Sequence, residues 1–334
     1  MPSRVMRTLW ALLVCLAMPL AARAEVSTLD KKTSAALSHY IMGTMYDDLG
    51  DIDRAIEEYK EASQADSRNS SIHLSLASSY IKKNQVDKAV EELKAVTTFD
   101  PEAVEPHTIL ALIYSLQNKP EPAAAELEAA LKNASKKEPQ NADIYKNLGL
   151  VYLQQKRFKE AQETFLLATK LAPLDAQGHF YLASTYNELK NNPEAEKELK
   201  RAIDLNADYH EALNFLGYLF VEENRNLPQA EVMIRKALKM EPDNGAYIDS
   251  LGWLYFKKGK IKEALTELEK ASGLVDDPVI FDHLGEAYFK VSDKQKAKVS
   301  WQKALKLDPK HDRVAEKLNR LEKQCNKINP KSTN

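Results

Sequence analysis

A chain of 334 residues has room for two globular domains, and 44% apolar residues supply ample material for a buried core. Forty-seven basic residues against 49 acidic ones leave a formal net charge of −2, which offers phosphates no basic stripe and argues against nucleic acid as a partner. Only 10 glycines, set among many Ala, Leu, Glu and Lys, favour helix over strand.

Residues 1–24 read as a separate object. Arg4 and Arg7 open it, Leu9 to Leu20 is apolar and uncharged, and Ala22-Arg23-Ala24 places small residues around a peptidase site. That layout predicts a secretory signal peptide cut before Glu25. The uncharged run from Thr8 to Ala22 is 15 residues, short of the roughly 20 that span a bilayer. Leu13-Val14-Cys15-Leu16 lacks the small residue expected before a lipidated cysteine. Cleavage removes three arginines and no acid, so the mature chain is more acidic still. It also leaves Cys325 as the sole cysteine, so no disulfide can form within the chain, which suits a bacterial periplasm. Residues 25–35 are polar and read as a loosely ordered lead-in.

From residue 36 onward one pattern recurs about every 34 residues. Its anchor is an alanine: Ala55, Ala89, Ala123, Ala161, Ala195, Ala230, Ala264 and Ala297. Nine or ten residues earlier stands an aromatic, from Tyr46 to Tyr288, preceded by a small residue such as Gly43, Ala77 or Gly149. Such a period marks a stack of near-identical supersecondary units. Asp143 to Gln155 and Phe158 to Leu171 show helical spacing on either side of Lys156-Arg157, and Pro173 ends the second run. Each unit is thus two antiparallel helices, whose small residues allow close approach and whose aromatics fill the remaining space.

This pattern resembles the tetratricopeptide repeat family, which implies an all-α, right-handed solenoid. The repeats read as 36–69, 70–103, 104–141, 142–175, 176–209, 210–244, 245–277 and 278–311, the third carrying about four extra residues around Ala134 to Gln140 that are expected to lengthen a loop. Residues 312–325 have Val314, Leu318 and Leu321 on one stripe, the mark of a capping helix, and 326–334 read as a disordered tail.

Little here points to chemistry. His73, His107 and His179 occupy one repeat position, about one unit apart, and read as packing; His39, His210, His283 and His311 fall at scattered points. Asp47-Asp48 and the pair Asp282 with Glu286 read as solvated helix faces, and neither a metal-ligand spacing nor a phosphate loop occurs. No cofactor and no catalytic residue is expected.

The resemblance instead directs attention to the inner groove, lined in this family by each first helix. By position, its candidate partner-binding residues are Lys146, Phe180, Asn187, Asn214, Tyr218, Trp253, Phe256 and Phe289. Trp253 stands out because Thr44, Ser78, Leu112 and Glu286 occupy its place elsewhere. Exposed rings in a concave surface suit capture of peptides or protein surfaces. Chaperone-binding members clamp a terminal carboxylate with cations on successive units; Lys146 and Asn147 fit, but Tyr181 and Glu211 stand where cations are needed.

Residues 210–271, including Asn214-Phe215-Leu216-Gly217-Tyr218 and Asp249-Ser250-Leu251-Gly252-Trp253, also resemble bacterial envelope-associated repeat proteins. Some of these are adaptors for periplasmic proteases and others are scaffolds for surface structures. The expectation is a non-catalytic periplasmic scaffold or adaptor for protein or peptide partners, with possible association with outer-membrane or envelope complexes. A component of polysaccharide or pilus export machinery is the alternative, and an enzyme, or a subunit completing an enzyme's active site, is a third.

Overall fold

The computed structural model of the chain describes residues 20–328, with side chains from 31 to 323, and every regular element among them is an α-helix. In chain order these are α1 (Leu20–Asp48), α2 (Ile52–Ala65), α3 (Ser70–Lys82), α4 (Val86–Phe99), α5 (Glu105–Leu116), α6 (Pro120–Lys137), α7 (Ala142–Gln154), α8 (Phe158–Leu171) and α9 (Ala176–Glu188). They continue as α10 (Asn192–Leu205), α11 (His210–Glu222), α12 (Leu227–Met240), α13 (Gly245–Lys257), α14 (Ile261–Leu274), α15 (Pro278–Lys290), α16 (Lys294–Leu307) and α17 (Asp312–Ile328). The chain divides into two compact units, one ending at Val151 and the other beginning at Tyr152, within α7.

In the first unit α1 pairs with α2, α3 with α4 and α5 with α6; in the second, α8 packs on α9, and the hairpins are α9–α10, α11–α12, α13–α14 and α15–α16, with α17 against α16. Local chemistry sets the starts. The side chains of Asp51, Asn69, Asp175, Asn244, Asp277 and Asp293 accept backbone N–H groups of the following turn, as good N-caps do. Pro101, Pro173, Pro242 and Pro309 each follow the last residue of a second helix and its cap, where the chain must leave helical geometry.

Within each hairpin the turn is a left-handed residue: Gly50, Asn84, Asn118, Lys156, Lys190, Asn224, Gly259 or Ser292. The next amide donates back to the carbonyl of the recurring aromatic, as Asp51 N–H does to Tyr46 and Lys260 N–H to Tyr255, both at 2.9 Å. The left-handed residue itself donates three residues back, as Lys190 does to Asn187. Two bonds of this kind make a Schellman motif, so the first helix stops at the same point in every repeat.

The core is a stripe along each second helix. In α12 it is Ala230, Ile234 and Ala237, and in α14 Ala264, Leu268 and Ala271, all with no solvent exposure. A glycine on the paired first helix admits the large residue: a methyl group on Gly252 would lie 2.7 Å from Leu268 Cγ and 3.2 Å from its backbone nitrogen. The third repeat is looser, with Ala123 only half-buried and Leu127 and Leu112 exposed.

Three boundaries differ from expectation. Residues 25–35 are not a loose lead-in: they belong to α1, because the sequence from Leu20 to Tyr40 has neither Pro nor Gly to interrupt a helix. The extra residues of the third repeat lengthen α6 to 18 residues, against 14 in α4, so one added turn of helix replaces the expected loop. At the C-terminus α17 runs to Ile328, so residues 326–328 are helical, and 329–334 lie outside the described residues, as do 1–19 of the expected signal peptide. Among the described residues no helix is long and apolar enough to cross a membrane.

Candidate partner-binding surface

The repeat geometry brings first helices of successive hairpins side by side, and in the second unit α11, α13 and α15 do so. Residues one repeat apart therefore meet. His283 Nδ1 on α15 lies 3.0 Å from both carboxylate oxygens of Asp249 on α13, and both side chains are buried. The Trp253 ring stacks on the His283 ring at 4.0 Å between centroids and 10° between planes, and on Phe256 at 4.7 Å and 8°. Its Nε1 donates to Glu222 on α11, and the Lys257 ammonium sits 4.8 Å from its ring centre. Tyr218 of α11 completes the group, 6.2 Å from His283. Burial, reinforced by the carboxylates of Glu222, Asp249, Asp282 and Asp277, pushes the Tyr218 hydroxyl far above its ordinary range.

Trp253 is therefore not the exposed ring expected of it. It is 6% exposed, because His283 from the next repeat and Phe256 from its own helix cover it. Phe256 is half-buried in the same stack. Phe289 is more than a third exposed, but its ring lies 5.7 Å from Trp301 on its own hairpin partner. Phe180 is half-buried in a separate aromatic group, 5.2 Å from Tyr209 and 6.2 Å from Phe215. Asn187 is half-buried on α9. Lys146, in the first unit, has its side chain 16% exposed and pairs with Asp143 at 2.9 Å.

Asn214 and Tyr218 do come together, at a cavity of about 280 Å³. Asp249, Ser250 and Asp277 add polar atoms to it, and Ala246, Val275, Val279 and Ile280 form its apolar walls. The α14–α15 connection brings in Val275 and Asp277, the latter serving as the α15 N-cap. Only the position of Asp249, one repeat after Asn214 and next to the serine, hinted at this grouping in the sequence; the loop residues carried no such signal.

The carboxylates expected to be solvated are largely engaged. Asp282 accepts from Trp301 Nε1 at 3.0 Å and from Lys317 Nζ at 2.6 Å, and Lys317 also pairs with Glu286 at 2.7 Å, which fastens α17 to the last repeat. Asp47 pairs with Lys82 at 2.7 Å, one repeat on. The histidines form a series that includes His39: His39–Glu58, His73–Glu92, His107–Glu126 and His179–Glu198 are each 19 residues apart, with Nδ1 to oxygen distances of 2.6 to 2.7 Å. His39 is thus not scattered; it stands one repeat before His73 and ties α1 to α2 as His73 ties α3 to α4. Among the described residues no three His, Cys, Asp or Glu side chains converge as metal ligands.

Models of the tetratricopeptide repeat match residues 48–113, then 110–176 and 157–210, then 247–274 and 280–311. No curated protein matches the chain. Among solved structures, a tetratricopeptide repeat protein from Parabacteroides merdae ATCC 43184 aligns over 76% of this chain and 98% of its own, at 18% identity and a TM-score of 0.59. A chain of the APC/C hetero-tetramer Cut9–Hcn1 aligns over 86% of this chain and 69% of its own, at 16% identity and a TM-score of 0.54. At these identities the likeness is one of fold.

Proposed function

The chain belongs to the tetratricopeptide repeat family, and from that premise we propose that it is a periplasmic adaptor whose second unit holds a polypeptide against α11, α13 and α15. Repeats of this family imply a protein-binding scaffold rather than a catalyst. Fold alone does not select the partner, so the reading rests on the site. The observation that carries it is the cavity at Asn214 and Tyr218, whose polar and apolar lining comes from three successive first helices and the α14–α15 connection. Such surfaces take a polypeptide by seating individual side chains in pockets, while the surrounding contacts exclude water.

The periplasmic assignment rests on the basic, apolar and small-residue order of residues 1–24 and on the single cysteine beyond them. A periplasmic protease is the client that the likeness of residues 210–271 to envelope-associated repeat proteins favours, the chain presenting substrates to it.

Two experiments test this reading. Fused to a phosphatase that is active only after export, residues 1–34 should yield active enzyme whose first residue is Glu25; an uncut, inactive fusion contradicts the location. Partners retained from envelope extract by the purified chain should be lost with Tyr218→Ala, with helicity unchanged. Retention of the same partners by that variant contradicts the surface.

A further inference from the structure

We propose that two copies of this chain pair through an apolar stripe on α1, their two α1 helices packed antiparallel about Ile41. This interface belongs to the first unit and is independent of the partner surface in the second. Leu37, Ile41, Met45 and Leu49 recur every four residues along α1, with Met42 beside them, and all five are exposed, Leu49 by 77%. The opposite side of the helix, at Ala36 and Gly43, faces Ala62 and Tyr59 of α2. In later repeats the same places are covered. The counterparts of Met42, from Leu76 to Leu284, are at most 6% exposed, and those of Met45, from Ser79 to Ala287, at most 8%, against 37% and 52% here. There the second helix of one hairpin packs on the first helix of the next, as α2 does on α3 and α14 on α15. No described helix precedes α1, so its stripe has the composition of a repeat-to-repeat interface and the exposure of a surface.

The end of a solenoid needs a polar outer face, and at the other end α17 supplies one. Val314 and Leu321 are buried there, Arg313, Glu316 and Arg320 face out, and no large apolar residue of α17 is exposed among the described residues. That polar end offers the stripe nothing to pack on, which disfavours a head-to-tail row of copies and favours an isologous pair. Reversed, the stripe complements itself. Leu37 and Met45 stand four residues either side of Ile41, so a two-fold axis there sets apolar against apolar. Lys31 and Lys32 are exposed at one end, and Asp48 is exposed at the other, close to Asp51. An antiparallel pair lays each basic end beside an acidic one, whereas a parallel pair opposes like charges. The helix dipoles favour the same arrangement. Helix α1 is 29 residues long against 14 in α2, and its residues 31–35 are exposed. A helical stretch without a packed face is marginal in water, and the antiparallel copy supplies that face. A formal net charge of −2 puts little repulsion between copies.

The test is sedimentation velocity of the purified full chain over a range of concentrations, under reductant so that no cysteine links copies. The chain should pass from monomer to dimer as concentration rises. Ile41→Glu sets two carboxylates against each other on the axis and should weaken the dimer about a hundredfold. Its circular dichroism should match the parent, because Ile41 is 49% exposed on the single chain. Lys31→Glu with Lys32→Glu should weaken the dimer about tenfold, and adding Asp48→Lys to these two should recover most of that loss. A contribution to the fold of one copy alone would give no such recovery, and these exposed positions keep the test open if Ile41→Glu fails to fold. Monomer at every concentration, even with the stripe covered by another protein, would overturn the proposal. So would a dimer that survives Ile41→Glu, or a triple variant that associates no more tightly than the double one.

Discussion

His283 on α15 faces Asp249 on α13 with 3.0 Å from its Nδ1 to either carboxylate oxygen, joining two repeats through side chains that solvent barely reaches. Removing one member of such a pair leaves the other buried without its partner. His283→Ala should therefore destabilise the second unit by about 3–5 kcal/mol. Chemical denaturation of His283→Ala, Asp249→Ala and the double variant checks this, and the double variant should lose less than the sum of the two single losses.

Trp253→Ala should likewise melt the second unit early, because the ring is a filler between repeats and not a free anchor. Truncating a buried aromatic costs about 3–5 kcal/mol. A variant that keeps the parental melting midpoint but loses its partner would restore the exposed role expected from the sequence.

The His73–Glu92 pair gives the first unit a pH signature. The hydrogen bond to Glu92, opposed by burial, raises the His73 pKa above its ordinary value. A raised folded-state pKa means that the protonated ring favours the fold. Its contribution is complete below the unfolded value of about 6.5 and disappears as pH climbs through the folded value. The stability difference between the parent and His73→Gln should therefore be larger at acidic than at alkaline pH, measured by denaturation at both.

At Lys190 the backbone is left-handed, with φ of 60°, at a turn where Gly50 and Gly259 stand in other repeats. Side chains in that region cost about 1–2 kcal/mol, partly offset by the greater freedom of glycine in the unfolded chain. Lys190→Gly should raise stability by about 0.5–1 kcal/mol in a thermal melt.

The hairpins were legible because a helix pair can close only where small and bulky residues alternate at fixed points, and Gly252 against Leu268 shows the contact that enforces it. The turns were harder to see. Asn, Lys, Ser and Gly all occupy the left-handed position, so no single residue type marks it. The part of α1 before residue 36 was not legible because its polar composition reads as disorder, although nothing from Leu20 to Tyr40 breaks a helix. For the site, repeat position gave the face of each side chain but not its depth. Trp253 is covered by a histidine 30 residues later, and the cavity at Asn214 takes Asp277 from a connection outside the repeating pattern. The histidine ladder was hidden because its partners, such as Glu92 and Glu126, lie on the charged side of otherwise variable second helices.

A photo-crosslinking residue introduced at Ala246, exposed at the rim of the cavity, puts the central claim to its most direct test. Val232 on α12, 68% exposed and away from the cavity lining, is the control. Illumination of cells should join Ala246 to a defined polypeptide segment, and Val232 to nothing in common with it. The same products from both positions, or none from Ala246, would contradict the account.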